Sequence, residues 1–379
     1  MEEPDENVTF EFMKQIILSV TNDLATDQRV HRHASSLMKL GAHVTLVGRL
    51  LPDSQPLQRD YAIHRMKLLF KRSSLFYAEY NIRLFFYLLF KKVDILVSND
   101  LDTLLANYLV SVIRRKTLVY DSHEYFTEVP ELINRKIAKF VWITLECWIL
   151  PKIKHAYTVS QSIANAYFEK YHIRMIVVRN LPVRLSLGNQ RKPYPGLPTS
   201  KFVLYQGAVN KGRGLEAFVD SFEYINEVKC VIVGGGDIQK TLAERITNKN
   251  LQDKVILLGN LPFFELERIT PHADLGISIE ENTGLSYSYA LPNKLFDYIQ
   301  AEIPVLCSNL VEVTSVVKAW NVGAIIENHN PQDIAEKINE ILKNDQQLQI
   351  WKRNLAKAAQ ELCWEKEEGN LIEVYRKLF

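Results

Sequence analysis

A short segment in the C-terminal half of the chain could bind a phosphate group and a sugar at the start of one helix. The segment reads PNKLFD, residues 292–297. A proline fits the first position of a helix, so Asn293 and Lys294 would lie in the first turn, where backbone N–H groups have no partner within the helix. These groups and the lysine side chain would favour a diphosphate. Asp297 would follow one turn later on the same face, where its carboxylate could accept hydrogen bonds from sugar hydroxyls.

The same segment also has a purely structural interpretation. Asn293 would then cap the helix, and Lys294 and Asp297 would form a surface ion pair worth only about 0.3 kcal/mol. We count Leu295 with the binding segment, although we expect its side chain to face the core. The segment by itself does not decide between the two interpretations.

A loop rich in glycine and positive charge follows another apolar strand of this half. In GAVNKGRGL, residues 207–215, glycines surround Lys211 and Arg213. Glycine lets the backbone approach an anion closely, and two cations would neutralise that anion. We therefore expect Gly207, Lys211 and Arg213 to contact a phosphate, and a surface loop with solvated charges is the alternative.

Two more strand ends in this half are candidate contacts for a nucleotide. Gly235 lies in a run of three glycines that predicts a tight turn from strand to helix. This run does not match the pattern G-x-G-x-x-G with an acid about 20 residues later, which argues against a nicotinamide cofactor. Another strand ends at Gly259, and we expect the backbone there, together with Asn260 and Leu261, to contact the edge of a planar base.

Polar residues also follow strands in the N-terminal half. His123 and Glu124 come directly after an apolar strand, and Asp27 and Arg29 lie where the first helix is expected to begin. Because ligands bind at the carboxyl ends of parallel strands, we expect these four residues to border a site. A helix cap and an internal ion pair explain Asp27 and Arg29 equally well, and a structural role is the alternative for His123.

Apolar segments at regular intervals predict the strands that would position all these residues. The first half contains QIILSV, HVTLVG, YAIHRM, DILVSN, KTLVYD, AYTVS and IVVRN, and the second contains FVLYQG, CVIVGG, KVILLG, LGISI, IPVLCS and GAIIE. Continuous apolar strands separated by helical patterns are typical of parallel sheets covered on both faces. We predict an α/β fold of two doubly wound, Rossmann-like domains, joined near residues 183–200, with a cleft between them.

Composition limits the class of protein. The chain has 379 residues, of which 47% are hydrophobic, enough for two cores. A net charge of +2 argues against a protein that coats nucleic acid. The four cysteines lack the spacing of a zinc site or a disulfide framework, which favours a reducing compartment. The acidic first 14 residues do not resemble a secretory signal, and the longest apolar runs are too short to span a bilayer, so we expect a cytoplasmic protein.

The ordered motifs resemble the retaining GT-B glycosyltransferases of family 4, the glycosyl transferases group 1. The chain has YQGAVNKGRGL, IVGGGD, VILLGNLP and ALPNKLFDYIQAEIPVLCS in the order in which the family has its corresponding donor-domain motifs. The final segment LCWEKEEGNLIEVYRKLF resembles the family's last helix, which crosses back to the first domain. The resemblance implies GT-B architecture, with an acceptor-side domain at 1–182, a donor domain at 183–363 and the crossing helix at 364–379.

This resemblance implies a hexosyltransferase-like enzyme of polysaccharide biosynthesis. It would move a sugar from a nucleoside-diphosphate sugar, a UDP- or GDP-sugar, to a hydroxyl of a saccharide or lipid-linked saccharide, with retention. His123, Arg213 and Lys294 would be catalytic, and no cofactor or metal would be required. Arg213 is preferred over Lys211 because it precedes Gly214 as the family's lysine precedes its glycine.

The chain departs from the family pattern at two places. Where the family has two glutamates in the pattern E-x7-E, Asp297 stands at the second position and Tyr289 at the first, so Glu280, Glu281 or residues 284–286 would have to replace the first. Ala208 stands where the family has an arginine. Two alternatives stay open, which are a nucleotide-sugar 2-epimerase of the same fold and, because the first glutamate is missing, a nucleotide-sugar-binding protein without turnover.

Three further features of the sequence indicate function less specifically. Asp100 and Asp102 form a D-x-D pair, which holds a divalent metal in some sugar transferases of another fold, but we expect Asp102 to cap a helix. We expect His31 and His33 to be ordinary surface groups. Residues 63–92 carry seven Lys or Arg and one Glu among many aromatic residues, which is typical either of a helix on an anionic membrane surface or of a core helix with charged flanks. The first alternative predicts peripheral association with the inner face of the cytoplasmic membrane.

Overall fold

The computed structural model describes residues 13–52, 54–71, 73–185 and 192–379. Most of the acidic N-terminal segment and the middle of the predicted junction lie outside the described residues. Within these ranges the chain forms two α/β domains, each with a parallel sheet between layers of helices. The predicted fold class is therefore confirmed.

The seven apolar segments predicted in the first half form one parallel sheet of the described chain. Its strands are β1 (Gln15–Asp23), β2 (His43–Leu50), β3 (Ala62–Lys67), β4 (Ile95–Asn99), β5 (Thr117–Ser122), β6 (His155–Thr158) and β7 (Ile176–Val177). They lie in the order β3-β2-β1-β4-β5-β6-β7. Every residue of the central strand β4 is buried, because helices cover both faces of the sheet.

The helices of this half are α1 (Gln28–Lys39), α2 (Ser73–Phe90), α3 (Leu104–Arg114), α4 (Pro130–Ile133), α5 (Lys136–Ile149) and α6 (Gln161–Tyr171). Two separate apolar clusters form on the two faces of the sheet. Helix α1 belongs to one cluster, and α2, α3, α5 and α6 belong to the other.

The six apolar segments of the second half form a second parallel sheet. Its strands are β8 (Phe202–Gln206), β9 (Lys229–Val233), β10 (Val255–Gly259), β11 (Leu275–Ser278), β12 (Val305–Ser308) and β13 (Gly323–Ile326), in the order β10-β9-β8-β11-β12-β13. Its helices are α7 (Leu215–Ser221), α8 (Gln239–Asn248), α9 (Phe263–Leu266), α10 (Leu285–Tyr289), α11 (Asn293–Gln300), α12 (Val311–Trp320), α13 (Pro331–Lys343) and α14 (Asp345–Glu361).

Both sheets reverse their strand order at one point, and this fixes where a ligand can bind. The reversal lies between β1 and β4 in the first domain and between β8 and β11 in the second. In open parallel sheets, ligands bind outside the carboxyl ends of the strands at such a point. We therefore expect the loops that follow these four strands to border a ligand site.

The last helix, α15 (Trp364–Arg376), returns to the first domain. Its residues Leu371 and Tyr375 are buried in the same cluster as α1 and β1. The backbone N–H of Trp364 donates to the carbonyl of Pro182 at 2.8 Å, and Glu367 accepts a hydrogen bond of 2.7 Å from the guanidinium of Arg179. The crossing helix thus ties the two domains together.

Candidate functional site

A cavity of about 650 Å³ lies between the two domains, at the carboxyl ends of both sheets. Residues expected from the sequence to border a site line this cavity from both sides. They are Asp27, Arg29, His123 and Glu124 from the first domain and Gly207, Arg213, Asn293, Lys294 and Asp297 from the second. The fold thus brings residues that are up to 270 positions apart in the chain to one cleft.

A buried ion pair lies in the second-domain wall of the cleft. The Lys294 Nζ atom is 2.6 Å from Oε1 of Glu280, and the two side chains are only 7% and 4% exposed. Arg213 Nη1 is 3.6 Å from the same carboxylate oxygen. Burial acts to raise the pKa of Glu280, but Lys294 and Arg213 outweigh burial and hold this pKa below its ordinary value. One ionised carboxylate therefore keeps two cations side by side at the cavity.

Aromatic rings fix the same two cations from another direction. Lys294 Nζ lies 4.0 Å from the centroid of the Tyr205 ring, and the Arg213 guanidinium lies 5.1 Å from that of Tyr287. Such contacts attract a cation to the face of the ring. Both cations are thus held in place before any ligand arrives, which is the arrangement that stabilises developing negative charge most effectively.

A glycine directly after Arg213 allows the loop to pack against β11. Gly214 has a φ of +70°, and a Cβ atom there would lie 2.2 Å from the carbonyl oxygen of Ile279. Ile279 follows β11 and directly precedes Glu280. The absence of a side chain at Gly214 therefore brings Arg213 within reach of the Glu280 carboxylate.

Helix α11 begins at Asn293, with Pro292 as its N-cap, so the predicted helix start is displaced by one residue. Asn293 Oδ1 accepts a hydrogen bond of 2.8 Å from Asn180 Nδ2, and Arg32 of the first domain donates to Asn180 in turn. Leu295 is fully buried in the core of the second domain. The first turn of α11 therefore faces the cleft and contacts the chain that connects the domains.

Asp297 lies on the same helix, half-buried at the cavity, and accepts a hydrogen bond of 3.0 Å from Gln206 Nε2. Burial raises the pKa of Asp297 to about 6, against the opposing effects of Gln206 and Arg32. The alternative of a surface ion pair between Lys294 and Asp297 is wrong, because Lys294 is buried and its amine points to Glu280.

His123 is held between two carboxylates on the first-domain side. Its Nδ1 is 3.2 Å from Asp100 Oδ2, and its Nε2 is 3.0 Å from Asp121 Oδ2. Burial acts to lower the pKa of His123, but the two carboxylates raise it to about 9. The raised pKa favours an imidazolium at neutral pH, which is hydrogen-bonded to Asp121 and ion-paired with Asp100 and lines the cleft as a fixed positive charge.

Arg29 and Asp27 have the structural roles that the sequence left open, and both also line the cavity. Arg29 donates to both oxygens of the buried Asp121, at 2.7 and 3.1 Å. Asp27 is the N-cap of α1 and accepts a hydrogen bond of 3.1 Å from the N–H of Val30. The ion pair of Arg29 with Asp121 extends the charge network that holds His123.

Two expectations in this region are wrong. His33 is fully buried, because α15 covers α1 and stacks the Trp364 ring 5.3 Å from the imidazole. Asp102 does not cap α3, whose N-cap is Thr103. Instead Asp102 is buried and accepts a hydrogen bond of 2.5 Å from Thr21, and burial together with the Asp100 charge raises its pKa to about 7. Among the described residues, no group of three His, Cys, Asp or Glu side chains could hold a metal ion.

Several residues predicted to bind a nucleotide lie outside this cavity. Lys211 is exposed, and its N–H donates to Asp237 at 3.1 Å. Gly235 lies against Asn260, since a Cβ atom on Gly235 would be 2.7 Å from the amide nitrogen of Asn260. The remaining residues of this set are Gly259 and Leu261, at the end of β10, and the buried Leu295.

A second cavity of about 440 Å³ adjoins the first and contains residues that the sequence did not single out. Arg32, Gln206 and Phe263 line both cavities. Gln206 is the last residue of β8, so its place at a strand end could have been read from the sequence. Arg32 gave no such signal. It lies within α1, and it lines a cavity only because the second domain faces α1. Burial lowers the pKa of Arg32 to about 10.

Residues 189–358 match the family model described as Glycosyl transferases group 1. The match spans most of the second domain and slightly less than half of the chain. The match and the two facing parallel-sheet domains support a glycosyltransferase with the GT-B fold. The resemblance of the donor-domain motifs to the glycosyl transferases group 1 is thereby confirmed, whereas retention and membership of family 4 stay predictions.

One known protein is similar to part of this chain in sequence, and others are similar to nearly all of it in fold. An uncharacterized glycosyltransferase of Methanocaldococcus jannaschii, MJ1178, is 23% identical over 228 residues, which are 58% of this chain and 58% of that protein. Sucrose-phosphate synthase from Thermosynechococcus elongatus has a TM-score of 0.77 at 18% identity, covering 97% of this chain and 99% of that one. Anabaena HepE in complex with UDP-glucose has a TM-score of 0.76 at 14% identity, covering 96% of this chain and 100% of that one.

Proposed function

We propose that this glycosyltransferase moves a sugar from a nucleoside-diphosphate sugar to a hydroxyl of a saccharide acceptor, and that the second-domain wall of the cleft binds the diphosphate. The observation that carries this proposal is the pair of cations, Lys294 and Arg213, that meet at Glu280 beside the start of α11. Both line the interdomain cavity. Charge-assisted hydrogen bonds from such cations to phosphate oxygens are strong.

The chemistry that this wall would support is departure of the diphosphate. The bond between the anomeric carbon and the phosphate oxygen breaks, and its electron pair stays on that oxygen. Lys294 and Arg213 stabilise the resulting charge. The acceptor oxygen bonds to the anomeric carbon, and we propose that its proton passes to the leaving phosphate, as in a retaining transfer. Closure of the two domains around the reactants would exclude water.

The first domain would contribute a fixed charge and not a base. His123 has both ring nitrogens engaged by carboxylates, so it has no free site for a proton from the acceptor. This supports a route in which the phosphate takes that proton. We propose that His123 stabilises charge near the donor sugar and that Asp27, Arg29 and Glu124 border the acceptor.

The nucleoside would lie next to the diphosphate. We propose that Asp297 accepts hydrogen bonds from ribose hydroxyls, because it lies one helical turn beyond Asn293 and lines both cavities. Gly235 and residues 259–261 would approach the base. HepE was crystallised with UDP-glucose, so a UDP-sugar is the first donor to test and a GDP-sugar the second.

For the acceptor we propose a saccharide, including a lipid-linked one, in polysaccharide biosynthesis. The composition of residues 63–92 supports peripheral contact with the inner face of the cytoplasmic membrane. Among the described residues no helix is both long and apolar enough to span a bilayer. We propose domain boundaries at 1–182 and 183–363, followed by the crossing helix at 364–379.

The test is incubation of the protein with UDP- and GDP-hexoses and a lipid extract, followed by product analysis. Sugar transfer with retained anomeric configuration supports the proposal. A product inverted at C2 of the donor sugar would indicate a 2-epimerase, and nucleotide-sugar binding without any product would indicate a binding protein. Either result contradicts the proposal.

Two variants of one loop provide a matched comparison. Arg213→Ala removes a cation of the cleft, and we expect its turnover to fall about 100-fold or more. Lys211→Ala removes an exposed cation of the same loop that does not line the cavity, and we expect nearly normal turnover. Equal losses in both variants would contradict the assignment of the phosphate to Arg213.

A further inference from the structure

Arg32, a cation of the first domain, faces the second-domain wall of the cleft from the opposite side. It lies within α1 and lines both cavities. Its Nη2 atom donates to Asn180, and Asn180 donates in turn to Asn293 in the first turn of α11 at 2.8 Å. The guanidinium is therefore held towards α11, although it belongs to the other domain.

Within the part of the chain that the structure describes, Arg32 has no carboxylate in ion-pair contact. Its guanidinium carbon lies 5.7 Å from the centroid of the Trp364 ring, and of its three nitrogens only Nη2 makes a hydrogen bond to a described residue. A guanidinium carries five N–H donors and is always charged at neutral pH. Arg32 therefore has donors left for a ligand in the cleft.

Asp297 on α11 offers the complementary acceptor. Gln206 Nε2 donates to its Oδ2 at 3.0 Å, and Gln206 Oε1 accepts from Thr270 at 2.7 Å, so the Gln206 amide is fixed from both ends. Among the described residues, none donates to the second oxygen, Oδ1. Asp297 lines the same two cavities as Arg32. An acceptor of one domain thus faces a donor of the other.

These two charges are close together but not in contact. Burial lowers the pKa of Arg32 to about 10 and Asp297 opposes this change, and burial raises the pKa of Asp297 to about 6 and Arg32 opposes that one. A space between a donor and an acceptor suits hydroxyl groups, which both donate and accept hydrogen bonds. A phosphate fits worse there, because the Asp297 carboxylate repels it.

We propose that Arg32 completes the ribose site from the first domain, so that the two ribose hydroxyls of the donor nucleotide lie between Arg32 and Asp297. One hydroxyl donates to the Asp297 carboxylate, and the other accepts from the Arg32 guanidinium. The ribose thereby joins α1 to α11, and Arg32 determines specificity for a nucleotide that carries both hydroxyls. This inference rests on the proposed function, which takes Asp297 as the ribose contact.

The experiment is calorimetry with UDP, 2′-deoxy-UDP and 3′-deoxy-UDP, or with the guanosine series if the wild type binds GDP more tightly. Because hydrogen bonds to charged groups are strong, we expect Arg32→Ala to lower the affinity for UDP about tenfold or more. The same substitution should leave the affinity for one of the two deoxy analogues nearly unchanged, since that analogue already lacks the hydroxyl that Arg32 contacts.

A second cation of α1 provides the matched control. Lys39 is exposed, pairs with Glu368 at 2.9 Å and lines only the second cavity. We expect Lys39→Ala to bind all three nucleotides like the wild type. Arg32→Gln keeps an amide donor for Asn180, so it gives the same comparison if Arg32→Ala does not fold.

The outcomes separate this inference from the proposed function. Normal UDP binding by both Arg32 variants, or equal losses for UDP and both deoxy analogues, would overturn the ribose contact and leave the proposed function standing. A wild type that binds neither UDP nor GDP would overturn both. A loss that is confined to nucleotides with one particular hydroxyl supports the inference, because a merely structural role of Arg32 would affect all three alike.

Discussion

Replacement of Lys294 should damage both turnover and stability, for two separable reasons. Its amine lies at the cavity and contacts the buried Glu280 at 2.6 Å. In Lys294→Ala the phosphate loses one fixed cation, and Glu280 loses its nearest partner. We propose to separate these effects with Glu280→Gln and with the double variant Lys294→Ala/Glu280→Gln.

The stability loss can be worked out from the burial of the pair. Removing one partner of a buried ion pair costs about 3–5 kcal/mol, because the other charge is left uncompensated. Arg213 remains 3.6 Å from Glu280, so we expect the lower end, about 3 kcal/mol, for Lys294→Ala. The double variant replaces the carboxylate by a neutral amide, which can still accept from Ser278, so it should recover about 2 kcal/mol.

Turnover should respond differently. Loss of one preorganised donor at a developing negative charge typically lowers kcat by about 10²–10³. Because the double variant still lacks this donor, it should remain impaired although its stability is largely restored. Chemical unfolding would measure the free energy of unfolding, and initial rates with a UDP-sugar would measure kcat. Recovery of turnover in step with stability would refute a direct role of Lys294 at the phosphate.

Three further outcomes can be checked. Because its folded pKa of about 9 is raised above the unfolded value near 6.5, His123 stabilises the protein fully below about pH 6.5 and loses this contribution as pH rises towards 9; chemical unfolding across this range should show a stability decline that His123→Gln lacks, and parallel curves would contradict the clamped imidazolium. The raised pKa of about 6 predicts that the Asp297 carboxylate forms between pH 5 and 7, so calorimetry should show UDP binding tighten more over this interval in the wild type than in Asp297→Asn, where only the UDP phosphate titrates. Glu367→Ala removes a buried carboxylate that accepts from Arg179 at 2.7 Å and should lower the free energy of unfolding by about 1.5–3 kcal/mol, because Arg179 is partly exposed and can be solvated, whereas a change below about 0.5 kcal/mol would contradict its role in holding α15.

The strands were readable from the sequence because both faces of each parallel sheet are covered. A strand such as β4 must then be apolar at consecutive positions, and this pattern differs from its helical surroundings. The carboxyl ends of these strands also marked residues such as His123 and Gly207 as candidates, since the fold class fixes which ends bear ligands.

The side-chain contacts inside the site could not be predicted from the sequence in this way. Glu280 and Lys294 are 14 residues apart, and only the path of the intervening loop brings their side chains together. The burial of His33 depends on the return of α15 from the far end of the chain, which places Trp364 over it. Contacts between positions so far apart in the chain cannot be predicted from local residue patterns.

The outward apolar stripe of α5 was missed for another reason. Its exposed residues Ile137 and Phe140 look like core residues in the sequence, because apolar periodicity shows that a helix has an apolar side but not what covers that side. Only the three-dimensional arrangement shows that α3 and α4 contact α5 while these residues stay exposed.

The central claim is that Lys294 and Arg213 bind the departing diphosphate, and a crystal structure of the protein with bound UDP would test it most directly. We predict phosphate oxygens within about 2.7–2.9 Å of the Lys294 amine and the Arg213 guanidinium, the length of charge-assisted hydrogen bonds. A diphosphate bound elsewhere in the cleft, with both cations still turned only towards Glu280, would contradict the account.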